Sequence, residues 1–317
     1  MLHNSASYAG LQNTPLNRPG YHNEIIARVY ERDFIPEITN SDIDERVLHC
    51  NQEVQIMLAP EVGPWYAYNP NQQLVANQVT AEAICLRINN AAYNSIKIDK
   101  TTIHFACENW PAWEALFLDA VYERYVELQR EWVLSSMILQ VDPKNQGAHA
   151  GLYGNIDLGS RANPIEVNKD NVAFRFSQLH TVLSERLAWR QNEMFVVVPI
   201  ALHGVLVQSN YANSGWVGGG CRNCSFGIDG MWEHQLVGFN VIESVHVPSV
   251  VERDGRICYW IIAGHRSAFA YVSDIIDGRL MEDIRTFGVE YQMLAVWGGK
   301  MIYPESIAVG YWTFSNN

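Results

Sequence analysis

The sequence predicts a mixed α+β protein, on two observations. Residues 111–139 carry the pattern of one long amphipathic helix, and segments of β-type alternation come before and after it. The chain has 317 residues, of which 48% are hydrophobic and 11% are aromatic. That length and composition allow a sizeable buried core and exclude wholesale disorder.

Charge and cysteine usage narrow the class of protein. The formal net charge of −12 argues against a protein that grips nucleic acid through its phosphates, which needs clustered Lys and Arg. The N-terminus has no basic stretch followed by an apolar core, and nowhere are 18 consecutive residues apolar, so we expect neither a signal peptide nor a membrane span. The six cysteines are scattered, which is typical of reduced thiols in a cytosol.

The first part of the chain predicts an arm. Residues 1–23 are rich in Asn, Ser, Pro and Gly, and their single charge is Arg18. Such a segment cannot bury enough apolar surface to order itself, so we expect it to order only against another surface. Residues 24–49 are mixed in character and can include a short helix.

Residues 54–105 have a β pattern. Short strands are predicted at residues 54–60 and 65–74 around turn residues, and a second strand region alternates around Ile84, Leu86 and Ile88, then around Ile96 and Ile98. The polar stretch 69–80 between them, which contains the turn signal Asn69-Pro70-Asn71, predicts a long hairpin. This hairpin has little to pack on within its own chain, so we expect it to project towards a partner.

The long helix at residues 111–139 has apolar residues at three- and four-residue spacing. The predicted apolar stripe consists of Trp113, Leu116, Phe117, Ala120, Val121, Leu128, Trp132 and Met137. The predicted opposite face carries Glu114, Asp119, Glu123, Arg124, Glu127, Arg130 and Glu131. Pro111 suits the first helical turn. At 1.5 Å per residue the helix would be roughly 40 Å long, so it must lie across something larger.

The rest of the chain is again mixed. A Gly-rich connector at residues 146–168 is followed by a second amphipathic helix at 174–190, with Phe176, Leu179, Leu183 and Leu187 on one face. The most hydrophobic strand is predicted at residues 195–199. Residues 236–247 and 257–272 are rich in strand signals.

The end of the chain predicts a helix and a hairpin. The helix runs from residue 275 to about residue 287, and the hairpin strands are residues 289–297 and 300–309. Gly298-Gly299 would form a two-residue turn between these strands. Pro304 should put the second strand at a sheet edge or end its pairing there.

The one short motif with a chemical meaning is Cys221-Arg222-Asn223-Cys224. A CxxC pair can hold half of a zinc site or act as a redox couple. The second half of a zinc site is missing, because His234 and His246 lie at no familiar ligand spacing. Two loop cysteines are the simpler interpretation.

Other catalytic motifs are absent from the sequence. There is no GxSxG, HExxH, Walker loop or GxGxxG pattern. His104, His180, His203 and His265 lie in apolar or strand-like contexts, where structural histidines are more common than catalytic ones. We therefore assign no catalytic, cofactor-binding or metal-ligating residues.

The order of these pieces resembles the major capsid protein of tailed double-stranded DNA bacteriophages. Residues 83–100, followed by the long helix, look like that family's extended-loop return strand and spine helix. Residues 176–209 look like its helix and apolar axial-domain strand, residues 238–248 like a recurring coat-protein strand, and residues 282–309 like its final segment. The resemblance covers roughly residues 50–317 and rests on the ordered combination, since no single motif is specific.

The resemblance implies a domain organisation. Residues 1–50 would be the N-terminal arm, residues 51–105 the extended β-hairpin loop, and residues 106–172 the peripheral domain with its spine helix. Residues 173–275 would form the axial domain, and residues 276–317 would return to the peripheral domain.

The resemblance also implies a function. The protein would self-assemble into pentamers and hexamers of an icosahedral shell around double-stranded DNA, within the virion and after assembly in the host cytoplasm. Portal, scaffolding and cementing proteins would be further partners, with no cofactor and no membrane. From Glu108 to Glu131 there are six acidic residues against two arginines, so this face of the spine helix should look inward, where it would repel phosphates.

Two other functions stay open on the sequence. One is the shell of a cellular nanocompartment with the same fold, which would package enzymes instead of a genome. The other is a cytosolic enzyme with a Cys/His site near Cys221, Cys224 and His234.

A last expectation concerns covalent reinforcement of the shell. Some shells of this family join subunits by a Lys–Asn isopeptide bond with the lysine on the extended loop. The five lysines of this chain are Lys97, Lys100, Lys144, Lys169 and Lys300, so the loop tip at residues 69–80 offers no amine. We expect a shell held by non-covalent contacts.

Overall fold

The computed structural model describes residues 33–40, 53–58, 63, 65–67, 83–106, 110–186, 188, 193–209, 235–283 and 286–314. The helices are α1 Ile35–Ile38, α2 Lys100–Ala106, α3 Trp110–Gln140, α4 Val172–Glu185 and α5 Ala201–Gln208. The first strands are β1 Glu53–Met57, β2 Ala83–Arg87, β3 Asn90–Asp99, β4 Ile165–Val167, β5 Met194–Pro199 and β6 Gln235–Leu236. The others are β7 Phe239–Ser244, β8 Ser249–Val251, β9 Ile257–His265, β10 Phe269–Glu282, β11 Gly288–Met301 and β12 Ile307–Phe314. The predicted α+β class is confirmed.

A seven-stranded mixed sheet forms the centre of the fold, with the strand order β4-β12-β9-β5-β7-β6 and with β8 paired to β9. Strands β5 and β7 are parallel, as are β4 and β12, and the other pairs are antiparallel. All six residues of β5 are buried, which agrees with the prediction of the most hydrophobic strand at residues 195–199.

Helices cover both faces of this sheet. On one face α4 buries Phe176, Leu179 and Leu183, as predicted, against residues of β5, β9 and β12. This helix ends at Glu185, earlier than predicted, and Leu187 lies outside the described residues. On the other face the C-terminal half of α3 and the segment 33–40 pack on the alternate residues of the same strands, such as Val197. The alternation of side chains along a strand thus builds two cores.

Helix α3 spans 31 residues and confirms the predicted long helix. Its predicted facing was wrong in two places. Leu128 is 41% exposed, whereas Arg130, which was expected on the polar face, is 1% exposed. The reason is tertiary: α3 is covered on more than one side in this half, so burial there does not follow a single stripe. Glu131 is exposed, as predicted, and Glu123 is half-buried.

A second sheet has three antiparallel strands in the order β10-β11-β3. Strand β10 runs through the region where we predicted a helix at residues 275–287, so that prediction was wrong. Residues 269–282 pair with residues 289–301 of β11, with one register shift between Ile275 and Asp277. This long-range pairing overrides the local helix preference of residues such as Leu280 and Met281.

The predicted turn at Gly298-Gly299 was also wrong. Strand β11 continues through both glycines and pairs with β10 and β3, whereas β12 belongs to the seven-stranded sheet. The glycines allow close packing instead: a Cβ on Gly299 would lie 2.6 Å from the ring of Phe269. Pro304 begins a short 3₁₀ turn after β11 has ended at Met301, in agreement with the expected end of pairing.

The extended hairpin is present, since β1 and β2 are antiparallel from the pair Glu53–Arg87 to the pair Met57–Ala83. Its tip at residues 69–80 lies outside the described residues. The expectation that the hairpin has little to pack on was wrong for its base. Val54 and Leu86 are buried in a third core together with Ala270, Val272 and Ile302.

The predicted domain boundaries stay a prediction, but the strand order bears on one of them. Residues 276–317 are divided between both sheets, because β11 lies in the three-stranded sheet and β12 in the seven-stranded one. A short helix within residues 24–49 is present as α1, whereas the arm at residues 1–23 lies outside the described residues. In the part of the chain that is described, no helix combines the length and the apolar character of a membrane span.

Candidate functional site

The extended hairpin exposes large apolar side chains towards its far end. Trp65 is 99% exposed and Tyr66 is 62% exposed, and Met57 at the end of β1 is largely exposed as well. At the base of the hairpin, by contrast, Arg87 forms a salt bridge of 2.7 Å with Glu53. A clustered set of exposed aromatic side chains on a projecting element is typical of a protein–protein contact surface.

The solvent-facing side of α3 is acidic. Asp119 and Glu131 are exposed, and Glu123 is half-exposed. Arg124 pairs with Glu127 on the same helix, so these two residues together add no net charge to the surface. The second arginine of the sequence count, Arg130, is buried, so the exposed surface of this helix is more acidic than the sequence count alone indicates.

A groove of about 340 Å³ lies between α3 and the three-stranded sheet. Phe117, Leu118 and Val121 line it from the helix, and Ile96 and Met293 are among the residues that line it from the sheet. The ring of Phe117 contacts that of Tyr291 edge-on, with centroids 5.5 Å apart.

Glu193, His265 and Ser267 form a hydrogen-bonded run that invites comparison with a catalytic triad. The Ser267 hydroxyl lies 2.6 Å from Nδ1 of His265, and a Glu193 carboxylate oxygen lies 2.8 Å from Nε2. The backbone N–H of Ser267 also donates to Nδ1 at 3.2 Å, so the proton of the neutral ring is on Nε2.

These hydrogen bonds have a structural explanation that does not require a catalytic role. Ser267 is only two residues from His265, within a 3₁₀ turn, so their contact is local. The imidazole is nearly buried, which leaves little room for a substrate. Met194, next to Glu193, pairs with His265 in the sheet, so the run ties the start of β5 to the end of β9.

The other histidines also have structural surroundings. Nδ1 of His203 lies 2.9 Å from Glu243 and joins α5 to β7. Nδ1 of His246 lies 3.5 Å from Glu131 of α3. Burial lowers the pKa of His180 on α4, which favours the neutral ring. His104 is exposed on α2.

Three tyrosines have raised pKa values because they are buried. A raised tyrosine pKa does not suit proton transfer near neutral pH. Burial raises the pKa of Tyr125 to about 12. It also raises the pKa of Tyr271, which faces α3 from β10. Burial and a hydrogen bond to Glu252, at 2.7 Å, raise the pKa of Tyr311. All three stay protonated under physiological conditions.

The described residues contain no candidate metal site, and their two cysteines are unpaired thiols. No group of three or more His, Cys, Asp or Glu side chains there could hold a metal ion. Cys85 and Cys258 are free thiols, the first exposed and the second buried. Cys221, Cys224 and His234 lie outside the described residues, so the structure brings no evidence on the CxxC motif.

The sequence analysis missed two features of the structure, one exposed and one buried. It assigned Trp65 and Tyr66 to a short strand, whereas residues 65–67 are not in a strand and both aromatic side chains are exposed. It also missed the burial of Arg130, for which the sequence has no signal, because the residues that cover it are distant in the chain.

Comparisons with known proteins were made by sequence and by structure. No protein-family model and no curated protein matches the sequence. Solved structures do match: one from Mycobacterium phage Che8 has a TM-score of 0.67 and 16% identity, and covers 93% of this chain and 95% of that chain. The capsid of Ralstonia phage GP4 has a TM-score of 0.66 and 7% identity, and covers 96% of this chain and 98% of that chain.

The capsid of Cyanophage P-SCSP1u is similar in the same way, with a TM-score of 0.60 and 11% identity, and covers 94% of this chain and 92% of that chain. In each case the match extends over nearly the whole of both chains, so it concerns a complete fold and not a shared motif. At these identities the likeness concerns architecture. By that architecture, the chain has the fold of the major capsid proteins of tailed phages.

Proposed function

We propose that this protein is a major capsid protein that self-assembles into the pentamers and hexamers of an icosahedral shell around double-stranded DNA. The observation that carries the proposal is the match to phage capsid structures over more than nine-tenths of both chains. It would then reside in the virion capsid after assembly in the host cytoplasm.

The projecting hairpin supports self-association. Trp65 and Tyr66 present aromatic area to solvent in the isolated subunit, at a cost that a neighbouring subunit would remove by covering them. Buried Val54 and Leu86 hold the base of the hairpin against β10, so the projection has a firm origin. A hairpin with a well-packed base and exposed aromatic residues beyond it is suited to contact a neighbouring subunit.

The acidity supports enclosure of DNA without specific binding. The net charge of −12 and the exposed carboxylates of α3 would repel phosphates if this surface faces the interior. Packaged DNA would then not adhere to the shell.

The work of such a protein is done by its interfaces, so we propose no catalytic residues. The local geometry of Ser267 and His265 supports this, as does the placement of the other paired histidines between structural elements. Portal, scaffolding and cementing proteins are proposed as further partners.

Electron microscopy of the purified full-length protein tests the proposal. We expect closed icosahedral shells and, in particles from infected cells, nuclease-protected double-stranded DNA. Shells that hold proteins instead of DNA would favour a nanocompartment. Soluble monomers with about one zinc per subunit would favour a Cys/His enzyme instead.

A variant pair sharpens this test at the hairpin. Trp65→Ser with Tyr66→Ser should leave the subunit folded and lower the yield of closed shells by about tenfold or more, because a contact surface depends on a few large aromatic anchors. Trp65→Phe with Tyr66→Phe keeps the aromatic area and should assemble nearly normally. Equal yields from both double variants would remove the hairpin from the interface.

The predicted arm calls for its own test. Deletion of residues 1–23 should leave the melting temperature of the subunit unchanged and impair assembly, since these residues were predicted to order only against another surface. A normal yield of shells from the truncated protein would show that the arm is dispensable.

A further inference from the structure

Arg130 is a charged residue buried in the middle of the fold. Its side chain is 1% exposed on α3, at a position where the sequence predicted a solvent-facing charge. An arginine is almost never buried to this extent unless its charge is compensated. The groups that contact the guanidinium should therefore indicate the structural role of Arg130.

Part of the compensation comes from residues just before α1. The guanidinium carbon of Arg130 lies 5.6 Å from the centre of the Phe34 ring, which is cation–π geometry. Nε of Arg130 lies 3.9 Å from the carboxylate of Asp33. That carboxylate also accepts the backbone N–H of Ile35 at 3.2 Å, so it is held at the start of α1.

The same short segment is fastened at its other end. The backbone N–H of Asn40 donates to the carbonyl of Phe269 at 2.8 Å, and the N–H of Tyr271 donates to the carbonyl of Asn40 at 3.2 Å. Between these contacts Ile35 and Ile38 are buried in the core that α3 shares with the seven-stranded sheet. Residues 33–40 are thus attached at one end to α3 and at the other to β10.

The position of this segment in the chain makes the attachment consequential. Residues 33–40 lie between the predicted arm and strand β1 of the extended hairpin, which begins at Glu53. Because residues 33–40 follow the predicted arm in the chain, the place where they are held limits where the arm can leave the subunit. The cation over one ring and beside one carboxylate adds a directional contact to the apolar burial of Ile35 and Ile38.

We propose that Arg130 is a positioning residue for assembly: it fixes residues 33–40 on α3 and thereby sets where the predicted arm leaves the subunit. The inference rests on the proposed capsid function for its consequence, but the attachment itself can be tested on the free subunit.

Hydrogen exchange of the purified full-length subunit is the first test. The amides of Glu37, Thr39 and Asn40 are hydrogen-bonded, so their exchange reports on the segment. In Arg130→Met these three amides should exchange about tenfold faster or more, while the amides of residues 133–140 in α3 keep their protection. Arg130→Lys retains a cation over the ring and should restore part of the protection.

Two further variants keep the outcome interpretable. Arg124→Met, on the exposed side of the same helix, should change none of these rates. Phe34→Leu keeps an apolar side chain and removes the aromatic face, so it should reproduce the Arg130→Met effect even if that variant fails to fold. Unchanged exchange in Phe34→Leu, or faster exchange spread equally over α3, would overturn the attachment.

Assembly is the second test, and it separates the two hypotheses. Arg130→Met and Phe34→Leu should lower the yield of closed shells at least tenfold relative to Arg124→Met, in proportion to the loss of protection. Normal shells from a variant whose segment is released would overturn the positioning role. If the wild-type protein forms no shells while the exchange results hold, the proposed function fails and the attachment by Arg130 stands.

Discussion

Gly298 lies against the backbone of Arg87 so closely that a Cβ on Gly298 would be 2.3 Å from the Arg87 carbonyl oxygen. The contact joins the C-terminal part of β11 to the end of β2, which is the base of the extended hairpin. Only the absence of a side chain allows the two backbones to approach to this distance. A residue that looked like half of a turn in the sequence is therefore a packing contact between two distant segments.

Gly298→Ala should destabilise the subunit by about 1–3 kcal/mol, because backbone atoms, which cannot rotate away, stand where the methyl group must go. Urea unfolding of the wild type and the variant measures the difference. Gly204→Ala is the control, since no atom lies within 4 Å of the added Cβ on that exposed residue of α5. It should be neutral or stabilising by about 0.5–1 kcal/mol. Similar losses in both variants would contradict the close contact.

The corrected facing of α3 predicts different costs for two leucines on the same helix. Leu134 is fully buried, so Leu134→Ala should cost about 2–5 kcal/mol through lost burial and the cavity left behind. Leu128 is 41% exposed, and Leu128→Ala should cost less than about 1 kcal/mol. Thermal and urea unfolding of the two variants would show which leucine faces the core. A larger loss at Leu128 would restore the stripe expected from the sequence.

Tyr125 predicts a loss of stability at alkaline pH. Burial raises its pKa from an ordinary value of 10.0 to about 12. The unfolded chain releases this proton above about pH 10, whereas the folded protein retains it up to about pH 12. The stabilisation that favours the protonated folded form is therefore complete below pH 10 and is lost as pH rises from 10 to 12.

Tyr125→Phe should remove this contribution. The change removes one hydroxyl group beside Ser273, so it should cost about 1 kcal/mol or less near neutral pH. Between about pH 9 and about pH 11.5 the variant should lose about 1 kcal/mol less stability than the wild type, after allowance for solvent screening. Tyr122→Phe, at an exposed position one turn away, is the control. Parallel pH profiles for the wild type and Tyr125→Phe would refute the assignment.

The lysines predict a shell without covalent links between subunits. Lys97 pairs with Asp283 and Lys100 pairs with Glu282 at 2.8 Å, so both amines are engaged within their own subunit. Mature particles boiled in denaturing detergent should release one band near 36.0 kDa. A ladder of oligomers that survives reducing agent would show an isopeptide link and a misplaced extended loop.

The sequence alone predicted the type and the buried face of an element correctly where the element has a strong hydrophobic periodicity of its own. The 31-residue helix, the core face of Phe176, Leu179 and Leu183, the buried strand at 194–199 and the antiparallel base of the hairpin all agree with the sequence. Each has a strong periodicity of 3.6 or 2 residues, which a core on one side reinforces. The fold itself was identified from the order of such segments.

Tertiary structure decided the rest, because the deciding partner lies far away in the chain. Residues 275–282 form a strand because β11 pairs with them, and Gly298 extends a strand because Arg87 lies against it. Arg130 is buried because Phe34 and Asp33, almost a hundred residues earlier, cover and compensate it. The local signals in these three cases were a helix propensity, a pair of glycines and a charged side chain. Each favours a local structure only weakly, and long-range strand pairing and burial outweigh it.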